Sequence, residues 1–181
     1  MRGSTSRRLI RFVPALAVGA AALFVAAPGA SASGTSTTFS LTAGSLTITQ
    51  PASVNLGSVA VGSLTLSKSL GTVSVSDTRG GLASTWTATV SSTSFTTGTA
   101  TQYETVANSS IAYSAGVATS STGLGTFTPG TLATMTSPGT AGAWVGTAGN
   151  SSVSWDPTVT FTLSPSQVAG TYTGTITHSV A

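Results

Sequence analysis

Apolar and polar residues alternate in short runs along most of the chain, with turn-forming residues at roughly 8–12-residue intervals. Phe39 and Leu41 begin an alternation that Leu46 and Ile48 resume beyond Ala43-Gly44, and Gln50-Pro51 ends it. Val54–Val59 and Leu64–Leu66 read as further short strands, and Val73 and Val75 alternate with serine up to Asp77. Trp86, Ala88 and Val90 share one face of a strand whose other face is threonine and serine, the pattern of a ribbon with one buried side. Tyr103, Val106, Ile111 and Tyr113 predict weaker strands around a turn at Asn108.

Toward the C-terminus, Val153–Trp155 and Val159–Leu163 predict two strands broken at Asp156-Pro157, where the missing amide interrupts a ladder. The last strand, Tyr172–Val180, turns Tyr172, Gly174, Ile176, His178 and Val180 to the same side and threonine or serine to the other. Between 116 and 150 apolar residues thin out among Gly-Thr, Ser-Pro and Ala-Gly pairs, which predicts a loop-rich excursion. The echo of LGSVAV (56–61) in LGTVSV (70–75) drifts against that of GSLT (44–47 and 62–65), so it reads as similar hairpins and not as a solenoid.

The first 32 residues follow a different rule. Arg2, Arg7, Arg8 and Arg11 precede an apolar run from Ala15 to Ala27, then Pro28-Gly29 and Ala30-Ser31-Ala32. A basic stretch, a short apolar stretch and small residues at a cleavage site are the layout of a secretory signal peptide, with cleavage expected after Ala32. The apolar run is shorter than the roughly 20 residues a permanent membrane helix requires, so no permanent membrane anchor is expected.

That leader changes the meaning of the composition. The chain has 181 residues and a formal charge of +3, but residues 33–181 retain only Lys68 and Arg79 against Asp77, Glu104 and Asp156, a net charge of −1. Counterion release then has no basic patch to draw on, which argues against nucleic acid as a partner. There is no cysteine, so burial alone must hold the domain together. Within 33–181 there are 27 serines and 34 threonines, while long helix-forming side chains are scarce. These features predict an all-β protein, a single antiparallel β-sandwich (Ig-like or jelly-roll-like) over 33–181.

Two stretches give a family resemblance. Trp86-Thr87-Ala88, preceded by Val75-Ser76-Asp77-Thr78-Arg79-Gly80, resembles the first Trp-x-Leu motif of the WxL domain family of secreted Gram-positive proteins, with Ala in place of Leu. Tyr172-TGT-Ile176-Thr177-His178-Ser179-Val180 has the spacing of the second motif, with His in place of Trp; Trp155-DPT-Val159-Thr160-Phe161-Thr162-Leu163 is a competing placement. The likeness extends over about Leu46 to Val180. It implies a diverged, cell-wall-associated protein that binds peptidoglycan or another wall glycan noncovalently.

The candidate binding residues are Trp144, Asp77, Arg79, Trp86, Tyr172 and His178. Asp77 and Arg79 lie two residues apart, on one strand face; they form either a ligand fork for carboxylates or a clamp that closes on itself at the start of the Trp86 strand. Trp86 and Trp155 fit core positions, whereas Trp144, in the loop-rich segment, is the candidate for sugar stacking. His178 is the only histidine and no G-x-S-x-G elbow accompanies it, so a serine hydrolase is not expected. Three scattered acids suit neither paired-carboxylate glycoside hydrolysis nor a metal site, and no cofactor is expected. Asn108-Ser-Ser and Asn150-Ser-Ser match glycosylation sequons, which carry no meaning in a bacterium. The alternative to wall binding is a structural surface subunit that assembles with itself, or with other surface proteins, through strand edges.

Overall fold

Strand ladders dominate the computed structural model, which describes residues 33–181; the leader expected over 1–32 lies outside them. Twelve strands are present: β1 (Leu46–Thr49), β2 (Thr65–Ser69), β3 (Val73–Asp77), β4 (Thr85–Ser92), β5 (Phe95–Thr96), β6 (Thr105–Val106), β7 (Ile111–Ser114), β8 (Ala118–Pro129), β9 (Thr131–Leu132), β10 (Gly139–Trp155), β11 (Thr158–Thr162) and β12 (Ile176–Val180). Every pairing between them is antiparallel. The only helical pieces among the described residues are 3₁₀ turns at Gln102–Glu104 and Asn108–Ser110.

The larger sheet is organised by the 17-residue strand β10. One of its edges pairs with β8. Its other edge pairs first with β4 (Trp144 opposite Trp86) and further along with β3 (Val153 opposite Val75). Between them a single bridge joins Leu82 to Ala148. β3 and β4 therefore act as one interrupted strand laid against β10. β1 continues the sheet beyond β3, and β12 continues it beyond β4.

The smaller sheet, in the order β2-β11-β7-β9, grows from the same ribbons. β2 runs into β3 through Leu70–Thr72, and β10 into β11 through Asp156-Pro157, so a paired ribbon bends out of one sheet into the other. The corner is held by Leu70 N–H donating to the Pro157 carbonyl (2.9 Å) and Thr72 Oγ1 donating to Asp156 Oδ1 (2.6 Å). Gly71 turns it at φ +77°, a conformation that a Cβ disfavours. β7 passes into β8 at the same level, Ser114 facing Thr158 and Ala118 facing Trp155. Strands that change sheet through a bend are how two sheets share one interior.

That interior takes one side of each strand. Val73, Val75, Trp86, Ala88, Val90, Val153 and Trp155 from the larger sheet join Ile111, Tyr113, Val159 and Phe161 from the smaller one, all buried. Each large side chain removed from water contributes about 1.5–3 kcal/mol, the main favourable term in a chain without disulfides.

Several predicted elements differ from the fold. The 116–150 segment is not loop-rich; most of it is β8 and β10, the two longest strands. Val54–Val59, predicted as a strand, has none, and Phe39 and Leu41 stand exposed before β1, outside any strand. The last strand begins at Ile176, not at Tyr172.

Candidate functional site

Asp77 ends β3 fully buried, and Arg79 turns back onto it. Arg79 donates from Nε to Asp77 Oδ1 and from Nη2 to Oδ2, both at 2.9 Å, and its backbone N–H reaches Oδ1 at 3.0 Å. These bonds hold the Asp77 carboxyl below the usual carboxylate range and raise the guanidinium above its own. Nη2 also donates to the Thr85 carbonyl, the first residue of β4 (2.9 Å). The pair thus bridges the gap between β3 and β4. Its carboxylate is consumed internally, as the clamp alternative requires.

Trp144, expected to be exposed for stacking, is only 2% exposed. It lies directly across from Trp86 on β4 and Phe127 on β8, so three adjacent strands carry an aromatic row on their inner face. Trp86 stacks on Trp144 (centroids 6.4 Å, 10° between planes) and meets Phe127 at 6.1 Å; Phe127 stacks on Trp155 at 5.2 Å. Glycines make the bed for these rings: a Cβ on Gly142 would sit 2.5 Å from the Phe127 ring, and one on Gly125 2.6 Å from Trp144. The small residues that resemble a loop are the spaces into which tryptophan packs. Trp86 is equally buried and donates its indole N–H to Ser151 Oγ (3.2 Å), so neither Trp86 nor Trp144 offers a stacking surface.

His178 and Tyr172 face inward on the C-terminal stretch, as its alternation predicts. His178 Nδ1 lies 2.5 Å from Gln50 Oε1 and Nε2 lies 3.1 Å from the Tyr113 hydroxyl, which accepts the Trp155 indole N–H at 3.0 Å. One protonation pattern satisfies all of them: Trp155 donates to Tyr113, Tyr113 to Nε2, and Nδ1–H to Gln50. Burial pushes His178 down to about 4 and Tyr113 up to about 12, so both are neutral through the physiological range. The Tyr172 hydroxyl donates to the Val168 carbonyl (2.9 Å), with the Tyr103 carbonyl at 3.2 Å. The two motif-like stretches meet, since Ala88 of Trp86-Thr-Ala88 faces Val180 of His178-Ser-Val180 across β4 and β12.

Two further surface features are present, the first predicted by the hydroxyl positions of β4 and β12 and the second without a signal in the sequence. The outer face of the larger sheet is neutral and rich in hydroxyls: Thr85, Thr87 and Thr89 on β4, Ser179 on β12 beside Thr89, and Thr126 and Thr128 on β8, with Ala143 and the exposed Val145 of β10 between β4 and β8. It holds no ionic group, and Thr89 Oγ1 bonds Ser179 Oγ at 2.8 Å. The second feature is a cleft of about 850 Å³ whose floor is the inward-facing Leu66, Phe95, Val106 and Phe161; its walls are the unpaired 53–63 segment and Gln167–Gly174. A smaller cleft beside it ends at His178. No charged residue lines either one.

Among the described residues no cluster of three or more His, Cys, Asp or Glu side chains could hold a metal ion, and no helix is long and apolar enough to cross a membrane. Compared with protein-family models, curated proteins and solved structures, the chain finds no match.

Proposed function

We propose that this chain is a secreted, non-enzymatic module of the Gram-positive cell surface, a β-sandwich of Ig-like or jelly-roll-like type that rests noncovalently on peptidoglycan or another wall glycan. The observation that carries this reading is the neutral hydroxyl array on the outer face of the larger sheet. Threonines recur about every 6.8 Å along β4 and β8, and these two strands run about 9.6 Å apart with β10 between them, a spacing suited to many weak hydrogen bonds with a repeating, hydroxylated polymer. The side-by-side placement of the two WxL-like stretches also favours it. Nothing in the reading requires chemistry: the Asp77 carboxylate is closed by Arg79, and His178 is held by Gln50 and Tyr113.

Binding of this kind is insensitive to salt, because no charges are exchanged. Cultures separated into medium, membrane and wall should yield the protein in the wall fraction, retained through a high-salt wash. Thr87→Glu with Thr126→Glu, on the exposed array, should release it without lowering the melting temperature. Recovery in the medium with no affinity for purified wall would refute the reading.

A second reading, a structural subunit assembling through strand edges, is favoured by the apolar stretch exposed ahead of β1, where Phe39 is 87% and Leu41 89% accessible.

A further inference from the structure

The two sheets leave a seam open on one side. β2 is the edge of the smaller sheet and pairs only with β11. The bonds of Leu163 N–H to the Leu64 carbonyl and Leu70 N–H to the Pro157 carbonyl fix the alternation, so Thr65, Ser67 and Ser69 turn their backbone groups toward the unoccupied edge. The apolar cleft opens beside that edge and reaches the core residues Phe161 and Val106. What lies over it is the 53–63 segment, which has the alternation of a strand but pairs with none; Leu56 reaches inward while Val54 and Val61 stay exposed. Here the fold has the shape of a sandwich lacking one strand.

The chain also carries a strand lacking a sheet. Thr37-Thr38-Phe39-Ser40-Leu41-Thr42 alternates apolar with hydroxyl residues, has no charge, and is exposed and outside any strand. It joins the fold at Gly44 and Ser45, which bond to Thr78 beyond the Asp77 end of β3. β1 then runs from Leu46, opposite Asp77, to Thr49, opposite Ser74, and Gln50 leads toward the clefts. The stretch therefore joins β1 at the end away from the clefts.

We propose that the seam is a docking site for a second copy of this chain: residues 37–42 of one copy enter the cleft of the next, with Phe39 and Leu41 against Leu56, Leu66 and Phe161 and the backbone paired to the outer edge of β2. Apolar surface exposed on both partners is covered, and the open ladder is completed. Because donor and acceptor lie on different parts of the molecule, the contact is head-to-tail and propagates into chains. This rests on the assembly reading and names its contact.

The test uses the exported protein, whether released from the wall fraction or recovered from the medium, in light scattering coupled to size exclusion over a range of concentrations. Multimers are expected, and Phe39→Asp with Leu41→Asp should reduce them to monomer with the unfolding midpoint that the unaltered chain has at concentrations where it is monomeric. The absence of cysteine permits a second measurement: a Leu41→Cys copy mixed with a Val54→Cys copy should form a disulfide heterodimer in several-fold excess over a Leu41→Cys copy mixed with a Val145→Cys control. Multimers that persist in the Asp variant, with no preference for Val54→Cys, would leave assembly standing and overturn this contact. A monomer at every concentration would overturn both.

Discussion

Arg79 ties the end of one strand to the start of the next: its guanidinium holds the buried Asp77 carboxylate with two bonds of 2.9 Å and the Thr85 carbonyl with a third. β3 and β4 lie on the same edge of β10, and this pair spans the seven residues between them. Removing Arg79 leaves a carboxylate in the interior without a counterion, which costs more than the pair itself contributes. Since Arg79 is partly exposed, water recovers some of the loss. Arg79→Ala should therefore destabilise by about 2–3 kcal/mol in urea unfolding, and Asp77→Asn combined with Arg79→Met should be milder than Arg79→Ala alone. Equal losses in the two variants would show that the pair does not act as a unit.

The histidine network sets a pH window for stability. His178 titrates near 6.5 when unfolded and about 4 when folded, so below pH 6.5 the unfolded chain binds the extra proton and stability falls until about pH 4. The full effect is about 3 kcal/mol. Tyr113 acts at the other limit: with its folded value at about 12, the unfolded chain loses its proton first above pH 10, and stability falls there too. A plateau between about pH 6.5 and 10 is expected in thermal melts, with His178→Gln flattening the acid limb down to the range where Asp77 protonates. A His178→Gln protein with an unchanged acid limb would place the titration elsewhere.

How much of this could be read from the residues depends on what filled each strand. Where large apolar side chains alternate with hydroxyls, as at Trp86-Ala88-Val90 and along Ile176-His178-Val180, the inward face was evident. Over 116–150 the inner positions alternate rings with glycines, Gly125 beside Phe127 and Gly142 beside Trp144, and the glycines make a strand resemble a loop. Trp144 was misplaced for that reason. Val54–Val59 fails in the opposite direction: its alternation is strand-like, but it pairs with no ladder, the open edge of β2 included. Pairing is a long-range property and composition does not carry it. The hydrogen-bonded line from Trp155 through Tyr113 and His178 to Gln50 was hidden likewise, since Gln50 and His178 are 128 residues apart.

The glycine beds give a direct test of the aromatic row. Gly142→Ala would drive a methyl into the Phe127 ring at 2.5 Å in a packed sheet, with a cost of about 1–3 kcal/mol. Gly81→Ala, in open space with nothing within 4 Å, is the control and should be nearly neutral. Similar unfolding midpoints for the two would mean that the row yields more readily than its packing indicates.

The three tryptophans should respond differently to loss of the indole nitrogen. Trp155 donates to Tyr113 and Trp86 to Ser151, whereas the Trp144 N–H is buried without a partner. Phenylalanine at any of these positions leaves a small void, but at 155 it also forfeits a buried bond worth about 1 kcal/mol, leaving the Tyr113 hydroxyl bonded to His178 alone. At 144 it removes an unsatisfied donor whose burial costs about 1–3 kcal/mol, which offsets the void. Trp144→Phe should therefore unfold at a higher denaturant concentration than Trp155→Phe, with Trp86→Phe between them, in a series measured at one pH within the plateau. Trp144→Phe as the most damaging of the three would mean that its N–H has found a partner, most directly the neighbouring Ser84, whose carbonyl and hydroxyl lie near Gly146 beside the Trp144 ring.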